Sequence, residues 1–549
     1  MNPFDFVPFV EGGPTRKTAE EWSREGGGRL LSGSIQVKLK TLTPLHVGGE
    51  VTTRTETVTR SRGGEQNRTE TLTCIEFRKF YRQRTTPALP ASGLKGAIRA
   101  FLEAWTNGVL GAFRPAYRKH SDPTDRENRK GKNRHVGFWI GRDGTWHDRD
   151  VGPCEKTTVF SYGLRFEVRN CLPDAFSPGL EVEPMDLASY LFGAPSSPVG
   201  LGKREGAQGW RARIEFSDCC FRETDLTDPN RGSPHPLALD VLGNSAFGHP
   251  NPRANSWWYF TPDRARVRIV RSPLREFHTT EFLGKRLRGR KFYFHQLPEK
   301  ALEYYRERWQ HLSYLKTDHH RLRWFDDTRV PILVEHPVEC VRAGATSDPF
   351  EIRFRDLPEP LLKVFLAALC PDQGVRHKMG GLKAFGFGSV EFEITSLQLE
   401  PPDLVLDPPP GVARSSPEDV TQGIMKWVEQ GLDLDPSHSR DRQDIKDYVN
   451  ETCWEWLRFV LAFPSDTRNL EERVFAYPPF KGAFDRVVDF REMNGVTLTD
   501  AAAVIQAVSP IRATVDFDHY QTTARMNGTD LFGKHCEEVG LKAFQHVPP

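Results

Sequence analysis

Four glycines within nine residues constrain the fold of this chain more than any other feature. They lie in Gly380-Gly381-Leu382-Lys383-Ala384-Phe385-Gly386-Phe387-Gly388, after an apolar helical pattern over 358–369 and directly before Ser389-Val-Glu-Phe-Glu-Ile394, which alternates as a strand does. A glycine-rich turn between helix and strand lets main chain approach a ligand closely, and free N–H groups around Lys383 would form an anion-binding nest. A tight turn with no ligand explains the same spacing. It is not a nucleotide-binding fingerprint: Gly-x-x-x-x-Gly-Lys-Ser/Thr is absent, and the glycines follow a helix instead of a strand.

Periodicity elsewhere supplies partners for that strand. Residues 34–42 alternate, with Ile35, Val37 and Leu39 on one face of a half-buried strand. A helix over 92–105 follows, with Ser92 as its cap and Leu94, Ile98, Phe101 and Trp105 at helical spacing. Lys95 and Arg99, four apart near its N-terminus, suit a phosphate; a solvated basic face on a core helix is the competing reading. Asp186 caps and Gly193 stops a short helix, and further strands are predicted near 211–217 and 334–354. Residues 50–86, polar and rich in Thr and Arg, exceed an ordinary connection and read as a functional or mobile insertion.

With 549 residues, more than one unit is expected. The 75 Lys and Arg nearly cancel the 73 Asp and Glu, yet the balance is uneven: 114–134 and 264–291 are basic, and 400–447 is acidic. In the second basic stretch Arg264, Arg266 and Arg268 alternate with Val267 and Ile269. Arg288, Arg290 and Lys291 then run into Phe292-Tyr-Phe-His295. Cations beside rings fit single-stranded nucleic acid, although such runs are also ordinary solvated faces. The chain holds no run of eighteen apolar residues and no basic leader, and its nine Cys form no C-x-x-C pair. It therefore reads as a cytoplasmic protein with reduced thiols and no membrane span. His46 is a candidate general base or a histidine bonded to its own loop, and no metal-ligand spacing occurs.

Taken in order, Leu42-Thr-Pro-Leu-His-Val-Gly-Gly49, Pro90-Ala-Ser-Gly-Leu-Lys-Gly-Ala-Ile-Arg99, Tyr190-Leu-Phe-Gly193 leading to Arg213-Ile-Glu-Phe-Ser-Asp218, and Gly380–Val390 resemble the RAMP superfamily of CRISPR-associated proteins. The nearest likeness is to the backbone subunits of type III effector complexes. Phe6-Val-Pro-Phe9, Arg288–His295 and His377-Lys-Met-Gly-Gly381 are similar to a larger, less characterised RAMP subgroup. The resemblance spans most of 4–395.

It implies an α+β fold: a ferredoxin-like β-α-β-β-α-β core, the RNA-recognition-motif fold, with large insertions and a mainly helical C-terminal extension. The expected units are an N-terminal extension (1–33), the core in two parts (34–222 and 331–398), an insertion (223–330) with a thumb near 245–275, a Pro-rich acidic linker (399–415) and a helical unit (416–549). The resemblance implies a structural subunit that binds guide RNA (crRNA) in a type III-like antiviral ribonucleoprotein. Its partners would be target RNA and other effector subunits, with no cofactor and no metal. Ser92, Lys95 and Arg99 fall in the helix motif, and Gly381, Lys383, Gly386 and Gly388 in the loop motif. The charged stretch adds Arg266, Arg268, Arg288, Arg290 and Lys291 as RNA contacts. Cleaving subunits carry an Asp after the Leu-His-x-Gly-Gly motif, whereas no Asp occurs between Leu42 and Trp105, only Glu50 and Glu56 nearby. The alternative is a metal-independent endonuclease that processes precursor guides or cuts target RNA, with His46 or Glu50 accepting the proton and Lys95 or Lys383 holding the phosphate.

Overall fold

Strict alternation along one long strand organises the molecule. The computed structural model describes residues 4–27, 29–60, 68–111, 137–140, 146–148, 159–161, 174–176, 183–194, 209–242, 266–271, 278–283, 289–309, 332–371, 374–400, 416–433, 443–464 and 470. In chain order the framing elements are β1 (Phe4–Val7), β2 (Leu30–Thr41), β3 (Gly48–Arg60), β4 (Arg68–Phe80), α1 (Ala91–Trp105), α2 (Leu187–Phe192), β5 (Ile214–Phe216) and β6 (Arg290–Tyr293). They continue as β7 (Phe350–Pro358), α3 (Glu359–Leu369), β8 (His377–Lys378), β9 (Ser389–Leu399), α4 (Pro417–Asp433) and α5 (Glu451–Leu461). The expected α+β class is what these elements form.

The central sheet has the order β5-β7-β2-β9-β8, every neighbour antiparallel. β2 takes the middle because its inward residues, Ile35, Val37 and Leu39, are all fully buried. Leu94, Ile98 and Phe101 of α1, with Leu361, Leu362 and Phe365 of α3, join them in one apolar core. The opposite face presents Lys38, Lys40 and Arg353 among Glu215, Glu351, Glu391 and Glu393, and no aromatic ring among the described residues. Lys40 and Glu391 pair across it at 3.1 Å.

The described parts of 50–86, expected as a functional or mobile insertion, are mostly strand. β3 and β4 form a hairpin that pairs from Gly48↔Phe80 out to Arg60↔Arg68. β-Branched threonines suit extended chain, but polar side chains on both faces erase the apolar alternation by which strands are recognised. Distant segments also meet. β1 pairs with β6, Phe4 opposite Tyr293 and Val7 opposite Arg290. α5 packs on α1 through Trp105 and Trp454 (5.0 Å between ring centres) and on the residue after β6 through Phe294 and Phe459 (5.7 Å). α4 begins at Pro417, with the Asp419 N–H donating to Ser416 Oγ at 3.0 Å. Apolar residues of α4 and α5 share the sheet's core. The basic run 114–134, Trp257–Phe260, all of the thumb region except 266–271, and residues beyond 470 lie outside the described residues.

Candidate nucleic-acid interface

Register decides which end of the sheet carries the candidate residues. Thr41 of β2 lies opposite Val390 of β9, Val37 opposite Phe350 of β7, and Ile352 opposite Phe216 of β5. The glycine-rich turn before β9, the turn after β2 and the residues after β5 therefore emerge at one end. α1 starts there too, since its Ala91 N–H donates to Asp218 Oδ1 at 2.6 Å. Residues 338–348 run between these parts: Val341 bridges both Leu45 and Leu226, and the Asp348 N–H donates to the Cys220 carbonyl at 3.0 Å.

The glycine-rich turn is clamped shut on the Leu42–Gly49 motif. The Gly388 N–H donates to the Pro44 carbonyl (2.8 Å), the Met379 N–H to the Gly388 carbonyl (2.7 Å) and the Gly381 N–H to the His46 carbonyl (2.8 Å). The Gly386 carbonyl accepts from Thr43 Oγ1 (2.8 Å) and Lys378 Nζ (2.9 Å). Gly380, Gly386 and Gly388 have φ of +74°, +95° and +81°. A Cβ on Gly386 would stand 2.5 Å from the Gln296 carbonyl oxygen, and one on Gly388 would run into Met379. This corrects the nest reading for the glycines themselves: the amides of Gly381, Gly386 (to the Lys383 carbonyl, 3.1 Å) and Gly388 are spent on main chain. The turn presents half-buried Lys383 instead.

Two features of α1 also differ from expectation. Pro90, not Ser92, occupies the cap position, and the Asp218 carboxylate takes the first amide, competing there with any bound anion. Arg99 is committed internally, with Nε donating to Glu103 Oε1 (2.8 Å) and Nη1 to the Gly193 carbonyl (2.9 Å). Burial raises the Glu103 carboxyl despite Arg99 opposing it. Ser92 is exposed and Lys95 half-buried. Burial, then the Arg99 charge, pushes Lys95 below its usual pKa.

Alternation on β6 separates its two cations. Arg290 is 5% exposed, donates through Nη2 to the Gly108 carbonyl and lies over the Phe9 and Phe176 rings at 4.6 and 5.6 Å. It is thus an interior group, which corrects its assignment as an RNA contact. Lys291 turns to the other face, with Nζ 3.7 Å from the Phe4 ring centre and 4.9 Å from that of Tyr293. Lys383 Nζ approaches the same Tyr293 ring at 5.9 Å. Arg266 and Arg268 lie on a strand, Arg266–Arg271, paired with His278–Leu283; their side chains, like Arg288, lie outside the description.

Neither proton acceptor proposed for cleavage sits well for the task. His46 is 2% exposed, its Nδ1 2.9 Å from the Glu339 carbonyl, and burial pushes its pKa down to about 4. Glu50 is exposed and held below the usual carboxylate range by Lys79, whose Nζ donates to it at 2.7 Å. Glu50 lines a 620 Å³ cleft at the hairpin base together with Phe77, Lys79, Tyr81, Arg82 and Glu339. Sequence reasoning met Tyr293 and Lys378 only inside longer motifs and passed over Glu339; the signal that singles out Tyr293 is its place two residues after Lys291 on a strand. Among the described residues no His, Cys, Asp and Glu cluster resembles a metal site, and no helix is long and apolar enough to cross a membrane.

No curated protein matches the chain. Among solved structures it is similar to Thermofilum pendens Csc2, at 11% identity and a TM-score of 0.24, with 80% of this chain and 89% of that one covered. The RAMP superfamily model matches residues 38–391, well over half of the chain. That span opens within β2, closes within β9 and contains both interlocked turns, α1 and α3, so the chain belongs to the RAMP superfamily.

Proposed function

We propose that this protein is a guide-RNA-binding structural subunit of a CRISPR effector ribonucleoprotein, of type III-like organisation. The observation that carries the reading is the convergence of the glycine-rich turn, the Leu42–Gly49 turn and the start of α1 at one end of the sheet. The strand order supports a ferredoxin-like core: β9-β2-β7-β5 places the fourth, first, third and second strands side by side, with α1 and α3 as crossovers and β8 added at the edge. Guide sequence is then read by base pairing, and the protein supplies shape and charge. The open sheet face, where acids and bases are interspersed and no ring lies among its described residues, is poorly suited to stacking bases, which favours a strand running over the sheet's end. With His46 sealed beneath the glycine turn, binding is better supported than cleavage.

The full chain is expected to bind single-stranded RNA with a steep salt dependence. Four neutralised phosphates would give a log–log slope of about −3, so affinity falls roughly fifty-fold between about 50 and 200 mM salt. Fluorescence anisotropy with a labelled RNA checks this. Absence of binding at the lower salt would overturn the reading.

A further inference from the structure

We propose that Lys291, Lys383 and Tyr293 form one subsite, at the seam between the β1–β6 ribbon and the glycine-rich turn, that takes a single phosphodiester of an RNA strand. This rests on the RNA-binding reading and names where part of the grip resides. Antiparallel pairing puts Phe4, Phe6, Lys291 and Tyr293 on one face of the ribbon, because Phe4 is opposite Tyr293 and Phe6 opposite Lys291. The Phe4 and Phe6 rings stand edge to face at 5.6 Å and Phe4 meets Tyr293 at 6.0 Å, an aromatic floor under the Lys291 ammonium. Lys383 reaches the same Tyr293 ring from the glycine-rich turn. All three side chains of the subsite are half-buried, so a phosphate arriving there meets two ammonium groups in a poorly solvated setting where charge counts for more.

The cluster carries its own pH signature. Burial first, and the Lys383 charge second, push Lys291 down to about 7. Burial likewise lowers Lys383, and behind it Lys378, fully engaged with the Gly386 carbonyl and Ser389 Oγ, is lowered by burial and by Lys383. Arg290, the neighbour on the strand, faces the opposite side. A phosphodiester stays ionised across this range and favours the protonated amine. Its binding therefore weakens as pH rises through 7.

Titration of a short single-stranded RNA into the full chain at about 50 mM salt tests the subsite. Wild type is expected to bind roughly tenfold more tightly at pH 6 than at pH 8. Lys291→Arg, which keeps its charge, should shrink that ratio to within about twofold. Lys291→Gln and Lys383→Gln should each weaken binding at pH 6 about fivefold and reduce the salt slope by about 0.7. Variants that keep the wild-type pH ratio and slope overturn the subsite while leaving RNA binding intact; a wild type that binds no RNA overturns the functional reading itself. Should a glutamine variant fail to fold, the Lys291→Arg pH profile still decides.

Discussion

Gly388→Ala is expected to lower the unfolding free energy by about 3 kcal/mol, although the position was singled out as an RNA contact. Gly388 holds φ at +81°, where an L side chain costs about 1–2 kcal/mol. The new Cβ meets the Met379 carbonyl, main chain of the same closed turn, so it is relieved only by moving backbone. That movement loosens the bonds from Gly388 N–H to Pro44 and from Met379 N–H to Gly388, each worth about 1 kcal/mol. Gly96 of α1 is the control: a Cβ there meets nothing within 4 Å, and alanine should stabilise the helix by about 1 kcal/mol. Urea unfolding checks both. If Gly388→Ala melts like wild type and loses only RNA affinity, the turn is an anion nest after all, and the clamped geometry is wrong.

The contrast shows what could be read from residue order. β2, α1, α3 and β9 were legible because each buries one face, and burial writes a period of two or 3.6 into the sequence. Asp186 and Gly193 bounded α2 as capping chemistry requires, with Asp186 Oδ1 accepting the Ser189 N–H at 3.1 Å. The β3–β4 hairpin was not legible, since its exposed threonines and arginines serve neither face as a core. Pairing of β1 with β6 leaves no trace either, because main-chain bonds join segments far apart whatever their side chains. Glycine spacing alone does not separate nest from clamp; the carbonyls of Pro44 and His46 do, and they come from the far side of the chain. Arg99 was more avoidable. Glu103 stands four residues on, and that helical spacing announced an internal ion pair.

Glu339→Ala is expected to be the most damaging change at the hairpin base, costing about 3 kcal/mol. Glu339 Oε2 accepts the Phe80 N–H at 2.7 Å and Arg82 Nη1 at 2.9 Å, while Oε1 accepts Arg82 Nη2 at 2.9 Å. Its side chain is 14% exposed and that of Arg82 25%, so the pair is shielded enough to count, though short of the full cost of breaking a deeply buried one. Alanine leaves the Phe80 amide without its acceptor, and Arg82 falls back on Glu223 at 3.0 Å. Burial would raise the Glu339 carboxyl, but the hydrogen bonds from Arg82 and Phe80 outweigh it and hold it below the usual value near 4.5. A depressed carboxyl stabilises the fold fully above its unfolded pKa, and that contribution disappears as pH falls through the folded value. The gap between wild type and Glu339→Ala should therefore be widest near neutrality and narrow below about pH 4. Glu339→Gln keeps an acceptor for Phe80 but loses the charge, and should fall between the two. A gap independent of pH would mean that Glu339 acts through packing alone, and that the Arg82 fork contributes nothing to holding the hairpin on the sheet.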